Sequence, residues 1–426
     1  MFRTLIGAGV SLLALGAVAA PEITITSTPA LPLENKLRNA SFEEEKLMFW
    51  VPIPKDDNGI VIDKENAASG GQSLKIPGVA GKNINAYQSI KWETPVKAGE
   101  PIYVRVSAKK TDPDIDKKPA GLACQLYFAD GNRSYIRMPL LPKEDYGWAT
   151  FENIVIAPSD VTAATFYLCH YDQDGVQWYD DLMFQTGNVE LTVSVKGDDL
   201  KQVTLRNSVT GTVFTEPASG TEFSKTLSVP GFGSYCVEVT DSKGMKTAKL
   251  YPEGVDANVA ASDTVLPLTP VKRLVLAPLK PADAFKIELP DLTGKKVYLE
   301  FLARNQKPEG LAGYTSSLKV TVNGKLLGAS ELVTPKNEFT TASGKGGVVA
   351  GNNGYALYYN NSFYAISQEN TYAPVSLESR NPFEFKLDVT ALVKAGVNTI
   401  ELRNALQPNP KLTFDVYVEN PRLVIE

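Results

Sequence analysis

Eight aromatic side chains are of a type that can do chemistry on a hydroxylated ligand: Trp92, Tyr127, Tyr135, Tyr167 and Tyr171 in the first half of the chain, and Tyr358, Tyr359 and Tyr364 in the second. A flat ring covers the apolar C–H face of a sugar at low entropic cost, while polar neighbours take its hydroxyls. Tyr167, Cys169 and Tyr171 alternate with Phe166, Leu168 and His170. A strand there would carry aromatic rings on both faces, which suits a binding surface and a packed core equally well. Tyr127 lies opposite Leu126 and Phe128, and the sequence leaves open which of those two faces is the inner one. The run from Tyr355 to Tyr364 sits between glycines and asparagines and reads as a partly exposed loop or strand end. Trp148 and Trp178 read as mostly structural.

Catalytic chemistry has little to work with. His170 is the only histidine, so a multi-histidine zinc site is excluded, and no serine in a strand-to-helix elbow accompanies it. With 48 acidic residues, finding two carboxylates near one another in sequence is not evidence for a glycosidase pair, which needs a separation of about 5 to 9.5 Å across a groove. Glu43-Glu44-Glu45 reads as a charged turn. Asp112, Asp114 and Asp116 alternate as in a calcium loop, but the segment lacks the central glycine and closing glutamate of that motif, so a solvated loop is the better reading. No catalytic residue is assigned, and the chain is expected to be non-catalytic.

The elements that must position these rings are strands. Residues 73–76, 103–108, 122–128 and 150–156 carry a period of two, wholly or in part, and are separated by Gly, Asp, Asn and Pro turns. No stretch sustains apolar residues at the helical period with caps at both ends. The expected fold is all-β and multidomain: a signal peptide over 1–19, an extended leader over 20–33 that holds no core, a jelly roll over 34–187, a small immunoglobulin-like spacer sandwich over 188–253, a linker over 254–270, and a second jelly roll over 271–426. Residues 1–19 pair Arg3 with an uncharged Leu/Ala/Gly-rich run ending in Ala17-Val18-Ala19, the form of a secretory signal. No comparable run follows, so no transmembrane segment is expected once it is removed. Lys and Arg number 43 against 48 Asp and Glu, a net charge of −5, which argues against nucleic acid as partner. The three cysteines do not make a disulfide scaffold. Cys124 and Cys169 are either bonded or two buried thiols, and Cys236 is a small core residue.

LRNASFEEEKLMFW, SGGQSLKI at 69–76, VKAGEPIYVRVSAKK at 96–110, YGWATFENIVIAP at 146–158 and GVQWYDDLMF at 175–184 together resemble the calcium-containing jelly-roll carbohydrate-binding modules of bacterial xylanases and glucanases. LKVTVNGKLLG and FEFKLDVTALVKAGVNTIELRN more loosely resemble the galactose-binding-like jelly rolls of secreted glycosidases. The first resemblance implies a structural Ca2+ held by Glu43, by one of Asp180 and Asp181, and by backbone carbonyls near 69–72. Adjacent strand residues point to opposite faces, so both aspartates enter one site only if a bulge intervenes; Asp181 is favoured. The expected function is an exported protein, secreted or periplasmic, that binds poly- or oligosaccharide by aromatic stacking. Other envelope or glycosidase components are possible partners. The alternative is a structural or adhesive envelope protein whose sandwiches bind no sugar.

Overall fold

The computed structural model describes residues 20–111, 121–136, 141, 145–172, 174–242, 244, 246–305, 314–334, 338–341, 344–351, 353–359, 383–405 and 415–426. The signal segment, the Asp112–Asp116 run and Tyr364 lie outside them. Among the described residues there is no helix, and the fold is an all-β assembly of sandwiches. In chain order the first strands are β1 (Glu22–Thr28), β2 (Val51–Ile53), β3 (Val61–Asp63), β4 (Ser73–Pro77), β5 (Asn83–Val96), β6 (Pro101–Thr111), β7 (Gly121–Phe128), β8 (Arg133–Ile136) and β9 (Tyr146–Ile156). They are followed by β10 (Val161–Tyr171), β11 (Val176–Thr186), β12 (Asn188–Lys196), β13 (Leu200–Asn207), β14 (Gly211–Pro217), β15 (Glu222–Pro230), β16 (Tyr235–Asp241) and β17 (Lys246–Tyr251).

Two five-stranded sheets, in the orders β2-β5-β10-β7-β8 and β3-β4-β11-β6-β9, make the first sandwich. Alternation builds its core: Ile84, Ala86 and Ile90 from β5, Phe166 and Leu168 from β10, Cys124 and Leu126 from β7, and Val104 and Val106 from β6 are buried together. Each large side chain taken out of water there contributes roughly 1.5–3 kcal/mol. Cys124 belongs to this inner set, while Cys169 sits at the opposite parity on the neighbouring strand. The pair therefore points to opposite faces, and both are free thiols.

The second sandwich packs β1-β12-β15 against β14-β13-β16-β17. Its first strand departs from the sequence reading. Residues 22–28, expected to be a leader without a core, form β1, which pairs along its whole length with β12, from Glu22 opposite Lys196 to Thr28 opposite Glu190. Ile23 and Ile25 are buried with Val193, Val195 and Val237. The first sandwich is thus inserted between two adjacent strands of the second, and the two crossings lie together: the N–H of Leu33 donates to the carbonyl of Gly231 (3.2 Å), and the N–H of Gly231 to that of Gly187 (2.9 Å).

In the third sandwich one sheet runs Val265–Pro267, Val416–Ile425, Val297–Asn305, Phe383–Asp388, Leu332–Thr334, with Arg273–Leu276 also on Val416–Ile425. The other runs Asp283–Leu289, Gly396–Asn404, Tyr314–Val322, Gly354–Tyr359, Gly344–Gly351, Glu338–Thr341, with Lys325–Leu326 on Tyr314–Val322. Part of the expected linker is a strand here, since Val265 pairs with Val424. Cys236 and Leu250 of the second sandwich belong to the core of the third. Beside them Arg206, 8% exposed, meets Asp283 at 2.7 Å and Glu238 at 3.4 Å.

The outer face of the β3-β4-β11-β6-β9 sheet is covered around Tyr103 and Glu152. Tyr103 stacks on Phe232 of the second sandwich, ring centroids 4.8 Å apart, with Val209, Ile154 and Met183 around them. The Tyr103 hydroxyl donates to Glu152 (2.9 Å). That carboxylate also pairs with Arg273 and, at 3.3 Å, with Arg304 of the third sandwich. Both guanidinium groups lie over Tyr417, at 4.6 and 5.0 Å. Burial alone would raise the Glu152 carboxyl; the two arginines outweigh it and hold the group below its ordinary range.

Candidate binding face and carboxylate cluster

The outer face of the other sheet is open, and strand register sets out its side chains in rows. Val51, Tyr87, Tyr167 and Ala123 form one row across β2, β5, β10 and β7. The next rows are Ser89, Thr165, Gln125 and Tyr135, then Lys91, Ala163, Tyr127 and Arg133; on the other side lie Ile53, Asn85, Cys169 and Gly121, then Asn83 and Tyr171. Paired residues share a face, so five tyrosines project from one surface of roughly 27 by 19 Å, estimated from strand rise and spacing. The Tyr87 and Tyr167 rings contact at 5.7 Å with a 38° tilt. Tyr135 is 64% exposed, and Val51 and Ile53 at the edge are 44% and 40% exposed.

Local hydrogen bonds fix the floor of this face. The Tyr127 hydroxyl donates to Gln125 Oε1 (2.9 Å) and lies 3.4 Å from Thr165 Oγ1, which in turn lies 3.3 Å from Ser89 Oγ. The Tyr171 hydroxyl donates to Cys169 Sγ (2.8 Å). Burial pushes the Cys169 thiol up to about 12, so it is not a reactive thiolate. Burial, reinforced by the neighbouring Tyr127, Tyr135 and Tyr87 hydroxyls, also raises Tyr167. Tyr167 and Tyr171, the latter raised by burial as well, are neutral hydrogen-bonding groups at physiological pH.

Four of the eight expected rings, Tyr127, Tyr135, Tyr167 and Tyr171, therefore stand together. Trp92 does not join them. It shares parity with Ile84, Ala86 and Ile90, turns inward, and packs on Phe184 at 6.0 Å. Tyr358 and Tyr359 fall in the third sandwich, where their backbones pair with Thr315 and Tyr314. Their neighbour Tyr355 is core, 1% exposed, with its hydroxyl on the carbonyl of Gly328 (2.9 Å). Tyr87, Val51 and Ile53 are the members that sequence reasoning missed. The alternation Ile84, Ala86, Gln88, Ile90 was the signal that puts Asn85, Tyr87 and Ser89 outward.

His170 is on the inner face of β10, 1% exposed. Neither ring nitrogen has a hydrogen-bond partner among the described residues. Burial lowers its pKa to about 4, Lys110 adding to the effect and Asp174 opposing it.

The carboxylates assigned to calcium gather at one edge of the same sandwich. A bulge between Asp180 and Met183 breaks the pairing of β11 with β6, and Asp181 takes φ 47°. Asp180 spends both oxygens on backbone N–H groups: Oδ2 accepts from Ala68 (2.8 Å) and Ser69 (3.1 Å), Oδ1 from Asp181 (2.7 Å). Burial still pushes it up to about 6. Glu43 Oε1 accepts from Gly71 (3.0 Å) and Gln72 (3.2 Å), and Asp181 Oδ1 from the Ser69 hydroxyl (2.6 Å). A Cβ on Gly70, at φ 60°, would collide with the Glu43 carboxylate. Glu43, Asp181, Asn35 and Asn39 line one open recess of about 520 Å³. The oxygen donors suit a hard cation, and Glu43 and Asp181 each keep a second oxygen outside these bonds, which Asp180 does not. Among the described residues no group of three or more His, Cys, Asp or Glu is placed to hold a metal, so backbone carbonyls and water would have to complete a shell.

No protein-family model matches the chain, and no curated protein does. Among solved structures it is similar to a structure described as "Family 16 Carbohydrate Binding Module-2", at 18% identity over 35% of this chain and 99% of that one, with a TM-score of 0.28. It is also similar to the CBM22-1 xylan-binding domain from Paenibacillus barcinonensis Xyn10C, at 16% identity over 34% of this chain and 91% of that one, TM-score 0.27. A third is TmCBM61 in complex with beta-1,4-galactotriose, at 16% identity over 36% of this chain and 99% of that one, TM-score 0.26. The resemblance to carbohydrate-binding modules drawn from the sequence recurs among these structures. No helix of the described residues is long and apolar enough to cross a membrane.

Proposed function

We propose that the first sandwich binds poly- or oligosaccharide on the open face of its β2-β5-β10-β7-β8 sheet, in an exported protein that has no catalytic role of its own. The observation that carries this is the row in which Tyr87 and Tyr167 touch at 5.7 Å, with Tyr127, Tyr135 and Tyr171 on the same surface. Rings supply area against C–H faces, and the Gln125, Thr165 and Ser89 groups beneath offer hydrogen bonds to hydroxyls. The third sandwich keeps Tyr358 and Tyr359 as candidates for a second site, where avidity on a polymer would multiply two modest affinities. The test is retention of the full chain on insoluble plant, algal and chitinous polysaccharides, with Tyr87→Ala/Tyr167→Ala as comparison. Retention that this double variant abolishes supports the reading. Failure across the panel leaves the adhesive or structural reading in its place.

The same reading includes a structural calcium held by Glu43 and Asp181, supported by their shared recess and by the oxygen donors there. When bound, the ion would supply positive charge that ties the segment before β2 to the β11 bulge, away from the tyrosine face. At a hundredfold excess over its dissociation constant it would add about 2.7 kcal/mol by mass action. The melting temperature of the full chain should rise with calcium over chelator, and Glu43→Ala should remove the difference; superimposable curves for the unmodified chain would eliminate the ion.

A further inference from the structure

We propose, on the basis of the tyrosine-face reading, that the glycan is anionic, and that Lys91 and Arg133 select it. The two cations close one end of the face in the row Lys91, Ala163, Tyr127, Arg133. Both are exposed, and three strand spacings separate them, about 14 Å. Between them the Tyr127 ring is held by its hydroxyl on Gln125 (2.9 Å). A sugar lying on Tyr127 therefore has a cation to either side.

Among the described residues neither cation is engaged. Lys91 and Arg133 take part in no ion pair or side-chain hydrogen bond with another described residue, whereas the nearby Lys97 is taken by Asp160 at 2.8 Å. Two acids at this end are turned elsewhere: Asp160 also accepts from the N–H of Ala98 (3.0 Å), and Asp130 folds into its own hairpin onto the N–H and Nδ2 of Asn132 (both 2.9 Å). Glu93, exposed two residues beyond Lys91, is the other acid of that strand end. The chain as a whole carries −5, so long-range attraction does not account for anion binding. Charges more than about 8 Å apart are screened at physiological salt, and the local pair decides. Arginine's fork takes a carboxylate or a sulfate through two bonds, and lysine supplies a point charge. Carboxylate and sulfate are both within reach of this arrangement, and the shared chemistry is an acidic group on a sugar ring.

The test uses the full chain in affinity electrophoresis against sodium polygalacturonate, a sulfated galactan, and neutral galactan and xylan, at low and at 0.5 M salt, on the order of a Debye length of a few Å at the higher value. An acidic polymer should retard the protein about tenfold more strongly than the neutral ones, and salt should erase the preference. Lys91→Gln/Arg133→Gln should bring acidic retention to the neutral level while leaving neutral retention and melting temperature unchanged. Lys91→Arg should restore retention, and Lys201→Gln, an exposed cation on the second sandwich, should change nothing. Preference for polygalacturonate or for the sulfated galactan tells which acid is taken. Equal or better retention on neutral polymers, or a double variant that keeps the acidic preference, overturns the inference while the tyrosine face stands. No retention on any polymer overturns both.

Discussion

On one side of the first sandwich Tyr103 stacks on Phe232 and donates its hydroxyl to Glu152, which is itself clamped by Arg273 and Arg304. On the other side Tyr87 and Tyr167 touch each other, and among the described residues no strand of a neighbouring sandwich packs over them. Both faces come from strands with the same alternation, and both carry tyrosine. What separates them is buried charge, which stands beside the rings of the first face only. A buried carboxylate with two arginines requires a partner surface that excludes water, whereas the phenols beside Gln125 and Thr165 need only those local hydrogen bonds.

The contrast can be broken most severely at Glu152. Glu152→Ala leaves Arg273 and Arg304 at a buried junction with less negative charge, and about 3–5 kcal/mol of stability should be lost in urea unfolding. A loss under about 1 kcal/mol would mean that charge does not hold the covered face.

Next in size is the dependence of the open face on the core beneath it, probed through His170. Its folded pKa of about 4 lies below the unfolded value, so the unfolded chain binds the extra proton between about pH 6.5 and 4. Stability is complete above that window and falls on acidification by about 3 kcal/mol. Asp180, raised to about 6, has the opposite sign and loses stability as pH rises from about 4 to 6. His170→Phe should therefore reduce the fall in melting temperature between about pH 6.5 and 5, and with it any loss of glycan retention near pH 5; an unaltered fall would place its cause elsewhere.

Tyr167→Ala should weaken glycan retention by about 5- to 30-fold, the equivalent of about 1–2 kcal/mol for one aromatic contact, with the melting temperature nearly unchanged. The opposite outcome, unfolding with little effect on retention, would make the open face a second packing surface. Tyr135→Ala is the mildest change, because that ring is 64% exposed. Its stability should stay within about 0.5 kcal/mol, and retention should drop about two- to threefold.

Local periodicity made much of this readable. Alternation identified the strands, and the opposition of Tyr167 and Tyr171 to Phe166 and Leu168 held one true partition of β10. It could not say which side was inner, since that depends on the sheet packed against it; Leu126 and Cys124 in the core settle it for β7 as well. Trp92 was misjudged because residue type was weighed above parity. Tyr87 was passed over for the same reason, as its strand shows its inner face plainly. The fate of β1 was not legible at all. ITITST alternates well, but its partner lies more than 160 residues away, and nothing local announces a pairing at that distance.

That pairing sets an order of events during synthesis. At about 5–20 residues per second, β1 leaves the ribosome roughly ten to thirty seconds before β12 exists to receive it. During that interval Ile23 and Ile25 have no sheet to enter, and both edges of the strand are unpaired. The first sandwich has all its strands once β11 has emerged, just ahead of β12, and in closing it brings residues 33 and 187 together. The completed insert then acts as a splint, turning a search across a long chain into the closing of a short gap between β1 and the nascent β12.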